Sequence, residues 1–434
     1  MIETLAIVIF VGTLFVLLAL GVWVGAALLT TAGIGMALFT SRPIGDSMAL
    51  TIWSEQSSWT LTALPLFIWM GEILFRTKLS ETLFRGLAPF MKGLPGSLLH
   101  VNIGASAVFA AISGSSAATV ATVGKMSIPE LRRRNYPEKM IVGTLSGAGT
   151  LGLLIPPSIA MIVFGVTVNE SISKLFMAAL IPGLALAACM MVYVVIWAMI
   201  NKKTFNPIAD VDTSNIGRRL LDLLPVLCLI AAVIGSIYAG IATATEAAAL
   251  GVFGAILLSA LQRTLTWSSL VESVIGAVRT NAMIMLILMG AGFLSLAMGF
   301  TGIPRALAEG IEAWDLSPLM LILILTLFYI ILGCFLDGLS SIVLTMAVIE
   351  PMVRAAGFDM LWFGVYVMIV VEMAQITPPI GFNLFVLQGM TGKDMGFISR
   401  ASFPMFCVMG VFIVILFMFP EMATWLPELL SERN

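Results

Sequence analysis

Charged side chains are scarce in this sequence of 434 residues. Asp, Glu, Lys and Arg make up only 11% of it, and 60% of its residues are hydrophobic, whereas a soluble domain has about 25% charged residues. So few charges could not cover a water-facing surface of this size. Apolar runs of about 20 residues recur along the chain, which is the length that a helix needs to cross a bilayer. The sequence therefore predicts an all-α polytopic membrane protein.

Several groups on which other functions depend are also rare. The net charge is −2, with a single histidine and four cysteines, so no basic surface for nucleic acid is expected. The cysteines are far apart in apolar runs and have no metal or redox spacing, so we expect them to pack. We likewise expect His100 to pack or to cap a helix, because it has no evident partner for a proton relay. No paired Asp, Ser–His, Ser–Lys or metal motif is evident, so an enzyme, including an intramembrane hydrolase, is not expected.

The first residues, M-I-E-T-L-A-I-V, lack the basic region of a signal peptide, so they predict a first membrane helix. The sequence leaves open whether residues 1–40 form one tilted helix or two segments broken near Gly21–Gly25. Further crossings are predicted at 140–168, 175–200, 222–239, 243–262, 280–300, 361–389 and 401–420.

The distribution of basic residues indicates that one apolar stretch does not cross the membrane. Basic clusters lie on the cytoplasmic side of membrane proteins, and two of them, at 76–92 and 125–139, flank a single apolar stretch at 94–123. One crossing would place these clusters on opposite sides of the membrane. The sequence therefore predicts a re-entrant hairpin that enters from the cytoplasm and turns near Ser113–Ser116.

A second apolar stretch, at 317–349, shows the same feature on the opposite side. It is flanked by acidic segments at 301–316 and 350–359, and C-F-L-D-G-L-S-S interrupts its middle at 334–341. The acidic flanks predict a hairpin that enters from outside.

The two halves of the chain resemble each other weakly. I-P-P-S-I-A-M-I-V-F at 155–164 matches T-P-P-I-G-F-N-L-F-V at 377–386. Each half contains, in the same order, a Met-Gly helix, a charged amphipathic segment, a hairpin with a small polar tip, and a helix broken by Pro-Pro. Because the flanking charges are opposite, the pattern predicts an inverted-topology repeat, as in many secondary transporters.

This repeat predicts the organisation of the chain. Residues 1–60 would form N-terminal scaffold helices, and 61–200 the first repeat, with an interfacial arm at 76–92, a hairpin at 94–123 and a broken helix at 140–168. Residues 201–262 would add scaffold helices. Residues 263–420 would form the second repeat, with an arm at 301–316, a hairpin at 317–349 and a broken helix at 361–389. Residues 421–434 would form a C-terminal tail.

The hairpin tips and the Pro-Pro breaks are chemically suited to ions. Pro157 and Pro379 lack an N–H and free carbonyls of the preceding turn, and such groups are tolerated in a bilayer only when they are buried in protein or line a cavity. Carbonyl and hydroxyl oxygens can hold a small cation, while helix N-termini attract an anion. Serine and glycine could instead permit close helix packing, and Pro-Pro could be a simple kink. The recurrence of both features favours an ion site.

Five other polar residues have alternative interpretations. Asp337, at the second tip, is an ion ligand, a tip stabiliser or a helix cap. Glu372 and Gln375 precede the second break and either line the site or pack, whereas Asn383 follows the break and either bonds freed carbonyls or lines the site. Glu246 follows a short external connector, and we expect it to mark the start of a helix.

Several motifs together resemble one transporter family. They are H-V-N-I-G-A-S (100–106), S-G-S-S-A-A-T-V-A (113–121), I-P-P-S-I-A-M (155–161), A-T-E-A-A-A (244–249), F-L-D-G-L-S-S-I-V-L-T (335–345) and T-P-P-I-G-F-N-L-F-V (377–386). In combination they resemble the large membrane subunit, or M-type permease, of tripartite ATP-independent periplasmic (TRAP) transporters, over nearly the whole chain.

The resemblance implies a Na⁺-coupled importer of an organic acid anion, such as a C4-dicarboxylate, a sugar acid or a sulfonate. It implies an elevator mechanism, a fold related to divalent-anion/Na⁺ symporters and a bacterial or archaeal cytoplasmic membrane. Its partners would be a small four-helix membrane subunit on a separate chain and a soluble periplasmic substrate-binding protein, with Na⁺ as the coupling ion and no cofactor. An ion or anion channel is the alternative that the residues leave open.

The resemblance also implies particular binding residues. One Na⁺ would lie among Ser113, Ser115, Ser116, Gly147, Gly149 and Thr150. A second would lie among Asp337, Ser340, Ser341, Gln375, Ile376 and Thr377. Substrate would lie between them, near Ser116, Pro156, Pro157, Ser158, Pro378, Pro379 and Asn383.

Overall fold

The computed structural model describes residues 2–76, 86–202, 216–302, 317–379 and 381–431, and within these ranges every regular element is helical. Most of the two predicted interfacial arms, at 77–85 and 303–316, lies outside the described residues. The helices of the first half are α1 (Ile2–Ala19), α2 (Val24–Phe39), α3 (Ile44–Gln56), α4 (Ala63–Phe75), α5 (Leu99–Ser113), α6 (Ser116–Arg133), α7 (Glu138–Gly149), α8 (Leu151–Leu154), α9 (Ile159–Thr167) and α10 (Ile172–Ile200).

The remaining helices follow in chain order. They are α11 (Ile216–Tyr238), α12 (Ala244–Leu261), α13 (Trp267–Thr301), α14 (Pro318–Gly333), α15 (Gly338–Ala355), α16 (Met360–Gln375), α17 (Phe382–Thr391), α18 (Met395–Met418) and α19 (Glu421–Ser431). Among the described residues, 5 helices are long and apolar enough to cross a membrane, or up to 7 if each of two bent pairs is one span. The chain is therefore a multi-pass membrane protein.

The N-terminal region forms two helices rather than one. Helix α1 ends at Ala19 and α2 begins at Val24, and Gly21 between them has a φ of +78°. A residue with a Cβ rarely adopts this left-handed conformation, which explains why the chain breaks at the first glycine of the predicted region. At the other end of the chain, the predicted tail contains helix α19, which packs against α10.

A helix–turn–helix occupies each predicted hairpin. In the first, α5 ends at Ser113, the next residue, Gly114, has a φ of 57°, and Ser115 accepts the Ala118 N–H to cap α6. Helix α6 continues to Arg133, past the predicted end of the hairpin at 123 and through Pro129 and the basic segment. The second hairpin turns between Gly333 and Gly338. The re-entrant placement of both hairpins stays a prediction.

Both long helices with Pro-Pro are broken, as their sequences predict. Helix α7, followed by α8, is separated from α9 by Ile155–Ser158, and the chain bends by 43° there. Helix α16 likewise stops at Gln375, and α17 begins at Phe382. The Pro156–Pro157 and Pro378–Pro379 peptide bonds are both cis.

Two arginines, Arg132 and Arg354, connect the halves through matching contacts. Arg132, near the end of α6, bonds the carboxylate of Glu138 through Nε at 3.0 and 3.1 Å and donates from Nη2 to the Thr391 carbonyl at 3.3 Å. Because Thr391 ends α17, this cation lies at the negative end of a helix dipole in the other half.

Arg354 has the corresponding position in the second half, at the same sequence offset that aligns Pro157 with Pro379. It bonds Glu350 and Glu170 at 2.9 and 3.2 Å, and donates to the Val168 carbonyl at 3.1 Å. Val168 follows the last residue of α9. Each arginine thus holds the C-terminal end of the half-helix that follows the Pro-Pro break of the opposite half.

Glycine allows helices α2 and α13 to pack with their backbones in close contact. A Cβ built on Gly290 would lie 2.7 Å from the Gly25 carbonyl oxygen, and one on Gly25 would lie 2.6 Å from the Leu286 carbonyl oxygen. Small residues at such crossings are the usual means of close approach between membrane helices. This contact fixes the N-terminal pair of helices to the longest helix of the described residues.

We expect Gly290→Ala to destabilise the protein by about 1–3 kcal/mol, the usual cost of overpacking. The matched control is Gly299→Ala on the same helix, where an added Cβ meets nothing within 4 Å. Thermal unfolding in detergent checks this, and equal melting temperatures for the two variants would contradict the close contact.

Candidate functional site

The two hairpin tips approach each other at the first helix break. Gly152 lies against the first tip, because a Cβ on it would be 2.6 Å from the Ser115 carbonyl carbon and the Ser116 nitrogen. The next residue, Leu153, lies against the second tip, with its Cδ2 3.0 Å from the Cβ position of Gly338. Two consecutive residues of α8 therefore contact the two tips.

Helix α16, which precedes the second break, also contacts both hairpin tips. Val371 Cγ1 lies 3.1 Å from the Cβ position of Gly338, and the Ser116 hydroxyl donates a hydrogen bond to the carboxylate of Glu372. Both hairpins and both broken helices therefore converge on one centre, built from segments that are far apart in the sequence.

Short-range hydrogen bonds order the first tip. The Ser113 hydroxyl lies 3.0 Å from the Thr119 hydroxyl and 3.3 Å from the Ser115 carbonyl, and the Thr119 hydroxyl donates to the same carbonyl at 2.8 Å. Gly114 faces the first break, with its Cβ position 3.2 Å from the Pro157 carbonyl oxygen. The tip is thus packed against backbone oxygens of the break.

The three residues predicted to face this tip, Gly147 and Gly149 at the end of α7 and Thr150 just after it, differ in position. The Cβ position of Gly149 is 3.7 Å from the Ser116 carbonyl oxygen, so Gly149 lies beside the tip. Gly147 faces α18, with its Cβ position 2.6 Å from Met405 Cγ. Thr150 donates to the Gly147 carbonyl at 2.6 Å and contacts Met409.

Sequence reasoning did not select Gly152, which packs directly against the first tip. Its signal was present as the last glycine of G-A-G-T-L-G at 147–152. Helical periodicity explains the outcome, since residues three and four apart share a face. Gly149 and Gly152 therefore face the tip together.

At the second tip, Asp337 begins helix α15. Its carboxylate accepts the Ser340 N–H at 3.2 Å and also the Ser340 hydroxyl, so the helix-cap interpretation describes its contacts in this structure. The neighbouring Ser341 is fully buried, and its hydroxyl has no hydrogen-bond partner. The tip thus presents one carboxylate that is already bonded and one hydroxyl that is free to take a ligand.

Gln375 joins the second hairpin to the second break. Its side-chain amide donates to the Leu336 carbonyl at 3.1 Å and to the Gly333 carbonyl at 3.4 Å. After it, Ile376 and Thr377 donate back to the Met373 carbonyl at 3.3 and 2.7 Å. The end of α16 is therefore tightened, and the Gln375 side chain satisfies carbonyls that the hairpin turn leaves free.

The residues predicted to contact substrate lie at both breaks but differ in exposure. Pro156, Pro157 and Ser158 are buried, whereas Pro378 and Pro379 are exposed. The Ser158 hydroxyl caps α9 by accepting the Met161 N–H at 3.3 Å, and it also donates to Leu153.

Asn383 is 1% exposed, and its side-chain N–H₂ group has no hydrogen-bond partner. A buried donor without a partner costs about 1–3 kcal/mol. Among the residues predicted to contact substrate, Asn383 therefore has a side-chain donor that is available to a ligand beside the second break.

Two further polar residues have structural contacts. Glu246 forms a capping box with Thr243, accepting its N–H at 2.8 Å, so it marks the start of α12. The His100 Nε2 lies 2.8 Å from the Pro95 carbonyl oxygen at the start of α5.

We expect Gln375→Leu to destabilise the protein by about 1–3 kcal/mol, because a buried and a partly buried carbonyl would lose their donor. Gln388→Leu on α17 is the control, since no hydrogen bond of that half-buried side chain is seen. Thermal unfolding compares the two. A loss of stability no larger in Gln375→Leu than in the control would contradict the role of this amide.

The chain matches one sequence family over residues 11–422, and this family is described as "Tripartite ATP-independent periplasmic transporter, DctM component". The match includes both hairpins and both broken helices. It therefore extends over the whole centre described above.

Curated relatives resemble the chain along most of its length. The C4-dicarboxylate TRAP transporter large permease protein DctM of Pseudomonas aeruginosa is 31% identical, covering 89% of this chain and 90% of the relative. The isethionate TRAP transporter permease protein DctMQ of Oleidesulfovibrio alaskensis is 30% identical, covering 93% of this chain and 63% of the relative. The sialic acid TRAP transporter large permease protein SiaM of Vibrio cholerae is 28% identical, covering 96% and 98%.

Solved structures resemble the fold at low sequence identity. The YdaH transporter of Alcanivorax borkumensis has a TM-score of 0.65 at 12% identity, covering 91% of this chain and 96% of that one. MtrF of Neisseria gonorrhoeae has a TM-score of 0.55 at 11% identity, covering 87% and 83%. At these identities, the likeness concerns the fold alone.

Proposed function

This chain belongs to the family of TRAP transporter large (M) subunits, and we propose that it moves an organic acid anion across the cytoplasmic membrane by coupling to Na⁺. The observation that carries the proposal is the convergence of two hairpin tips on two broken helices. Gly152 and Leu153 contact the two tips from one break, and Val371 and Glu372 contact them from the other. Non-helical backbone at membrane depth is expected only where it is buried or lines a cavity.

For the first Na⁺ we propose the first tip and the adjoining helix α7. Its three serines present hydroxyl and carbonyl oxygens, and Gly149 lies beside them. The backbones of Gly147 and Thr150 would contribute carbonyls from the same turn. Hard cations prefer such oxygen ligands.

For the second Na⁺ we propose the second tip and the end of α16. The Asp337 carboxylate would supply charge, with the Ser340 and Ser341 hydroxyls beside it. The buried Ser341 hydroxyl has no other partner, which supports a ligand there. The backbone of Gln375–Thr377, where α16 ends, would supply carbonyls.

We propose that the anion lies between the tips. Helices α6 and α15 begin at the tips, and α9 and α17 begin after the breaks, so four positive helix ends converge on this region. The free donor of Asn383 adds a hydrogen bond. The names of the relatives include a C4-dicarboxylate, isethionate and sialic acid, which supports an organic acid without selecting one.

The transport cycle we propose is an elevator movement of a domain built on an inverted repeat. The hairpins and broken helices would move together, and the other helices would form a scaffold. The matching contacts of Arg132 and Arg354 support a symmetric relation between the halves. The family supports two further partners, a small four-helix membrane subunit and a periplasmic substrate-binding protein.

The coupling is tested by uptake into proteoliposomes that contain the chain and its cognate partners. We expect radiolabelled organic acid to accumulate when an inward Na⁺ gradient is imposed, and not when K⁺ replaces Na⁺. Equal uptake in both cases would contradict Na⁺ coupling, and single-channel currents carried by the anion would indicate a channel instead.

The second Na⁺ site is tested by Asp337→Ala. We expect the Na⁺ concentration for half-maximal uptake to rise about tenfold or more, because tenfold corresponds to ~1.4 kcal/mol and a hydrogen bond to a charged group contributes about as much. Asp359→Ala is the matched control, since Asp359 also caps a helix, accepting the Leu361 and Trp362 N–H groups at 2.8 and 2.9 Å. An equal rise of this Na⁺ concentration in both variants would mean that Asp337 only caps its helix and does not bind Na⁺.

A further inference from the structure

The first hairpin tip rests on helix α4, which belongs neither to a hairpin nor to a broken helix. Gly71 makes this contact, since a Cβ built on it would lie 2.9 Å from the Ile112 carbonyl oxygen and 3.4 Å from the Ser113 Cα. Both atoms are backbone atoms at the end of α5. A change of rotamer could therefore not make room for a side chain at position 71, and the tip would have to move away.

The residues next to Gly71 attach α4 to other helices. The Trp69 indole N–H donates to the Ser273 hydroxyl on α13 at 3.1 Å, and Met70 Sδ lies 2.5 Å from the Cβ position of Gly251 on α12. Three consecutive residues of α4 thus face α13, α12 and the first tip in turn. Helix α4 belongs with α12 and α13, and Gly71 is the point at which this group meets the hairpin.

The contact at Gly71 is close packing alone. Glycine has no side chain that could form a hydrogen bond or an ion pair with the tip. The two surfaces can therefore separate at this point without leaving a polar side chain unpaired, which would cost free energy in a membrane protein.

The second hairpin stands away from helices α1 and α2. Phe335 and Leu336, beside the second tip, line an apolar cavity of about 620 Å³ whose lining also includes Leu18 and Val22. Phe335 is 61% exposed. The glycine of the second Met-Gly pair, Gly290, packs on α2 instead of on a hairpin tip. The two halves therefore share the Met-Gly pair but differ in what its glycine contacts.

This difference has a direct meaning for a chain built as an inverted repeat. Two halves of one plan would make equivalent contacts in a symmetric arrangement. A tip seated on one side and a cavity beside the tip on the other side describe one of two end states, which exchange by a movement of one group of helices against the other. The contact at Gly71 would have to break during that movement.

We propose that Gly71 is a positioning residue, the seat on which α4 holds the first hairpin tip in one end state. Because Gly71 has no side chain, the tip backbone reaches α4, and this close approach sets the ratio of seated to unseated molecules. Gly71 acts on the transported species only through the tip. The inference rests on the proposed elevator transport for its role in the cycle, but the seating itself is measurable without transport.

Double electron–electron resonance measures the seating in the purified chain in lipid nanodiscs. One spin label is attached through Phe253→Cys, at an exposed position on α12, and the other through Lys125→Cys, at an exposed position on α6. Cys189, Cys228 and Cys407, which are half-buried or exposed, are replaced by serine. Because α12 packs against α4 and α6 begins at the tip, the distance between the labels reports where the hairpin lies on α4. We expect one predominant distance in this labelled parent chain.

Gly71→Ala should raise the ratio of unseated to seated molecules about tenfold, which corresponds to ~1.4 kcal/mol. The reason is that the added methyl group overlaps a backbone carbonyl that cannot rotate away. A second distance should therefore appear in the distribution. A distribution identical to that of the parent chain would overturn the proposal.

The matched control is Gly251→Ala, which crowds another face of α4 without touching the tip. Its Cβ would meet the flexible end of the Met70 side chain, which can move aside, so the distance between the labels should stay as in the parent chain. An equal shift in both variants would mean that a displaced α4 causes the change, and it would overturn the assignment of the seat to Gly71.

The parent chain itself supplies the test if Gly71→Ala does not fold. After reconstitution with the cognate partners, addition of Na⁺ and the organic acid used for uptake should populate a second distance, because the hairpin leaves α4 during transport. A distance that stays unchanged while uptake proceeds would mean that α4 and the hairpin move as one body, and it would overturn the proposal. If Gly71→Ala shifts the distance but the parent chain takes up no substrate under a Na⁺ gradient, the proposed function fails while the seat stands.

Discussion

The constraint on which this structure depends is that a broken backbone inside a membrane protein must find its hydrogen-bond partners within the protein. Each hairpin turn and each Pro-Pro break leaves groups that their own helices do not satisfy. The structure brings the turns and the breaks together, so that one can satisfy the other. The Gln375 amide on the Leu336 and Gly333 carbonyls is the clearest example. A centre of irregular backbone is therefore stable because a hairpin turn and a helix break lie side by side and supply each other's hydrogen-bond partners.

The sequence predicted the elements of this centre because local signals specify them. Charge on either side of residues 94–123 predicted a turn near Ser113–Ser116, and the helices do meet there. Pro-Pro predicted both breaks, because proline lacks the N–H that a helix needs. The exact end of a hairpin arm was less predictable, since α6 continues beyond the apolar stretch into the basic segment and ends at Arg133.

The contacts of the site were harder to predict because they join distant segments. The bond from Ser116 to Glu372 connects residues 256 apart, and no single-sequence pattern pairs them. The sequence left Glu372 undecided between lining the site and packing. It also favoured Gly147 over Gly152, because a glycine-rich stretch does not reveal which of its faces meets the hairpin. Binding of Na⁺ or substrate at these residues stays a prediction.

The arginine contacts have a consequence for how the chain folds. Arg132 contacts the Thr391 carbonyl and Arg354 contacts the Val168 carbonyl, so each half supplies the guanidinium that the other half requires. A fragment containing either half alone would have an arginine without its carbonyl and a helix end without its cation. Each half therefore stabilises a helix end of the other, which favours the two halves gaining and losing their structure together.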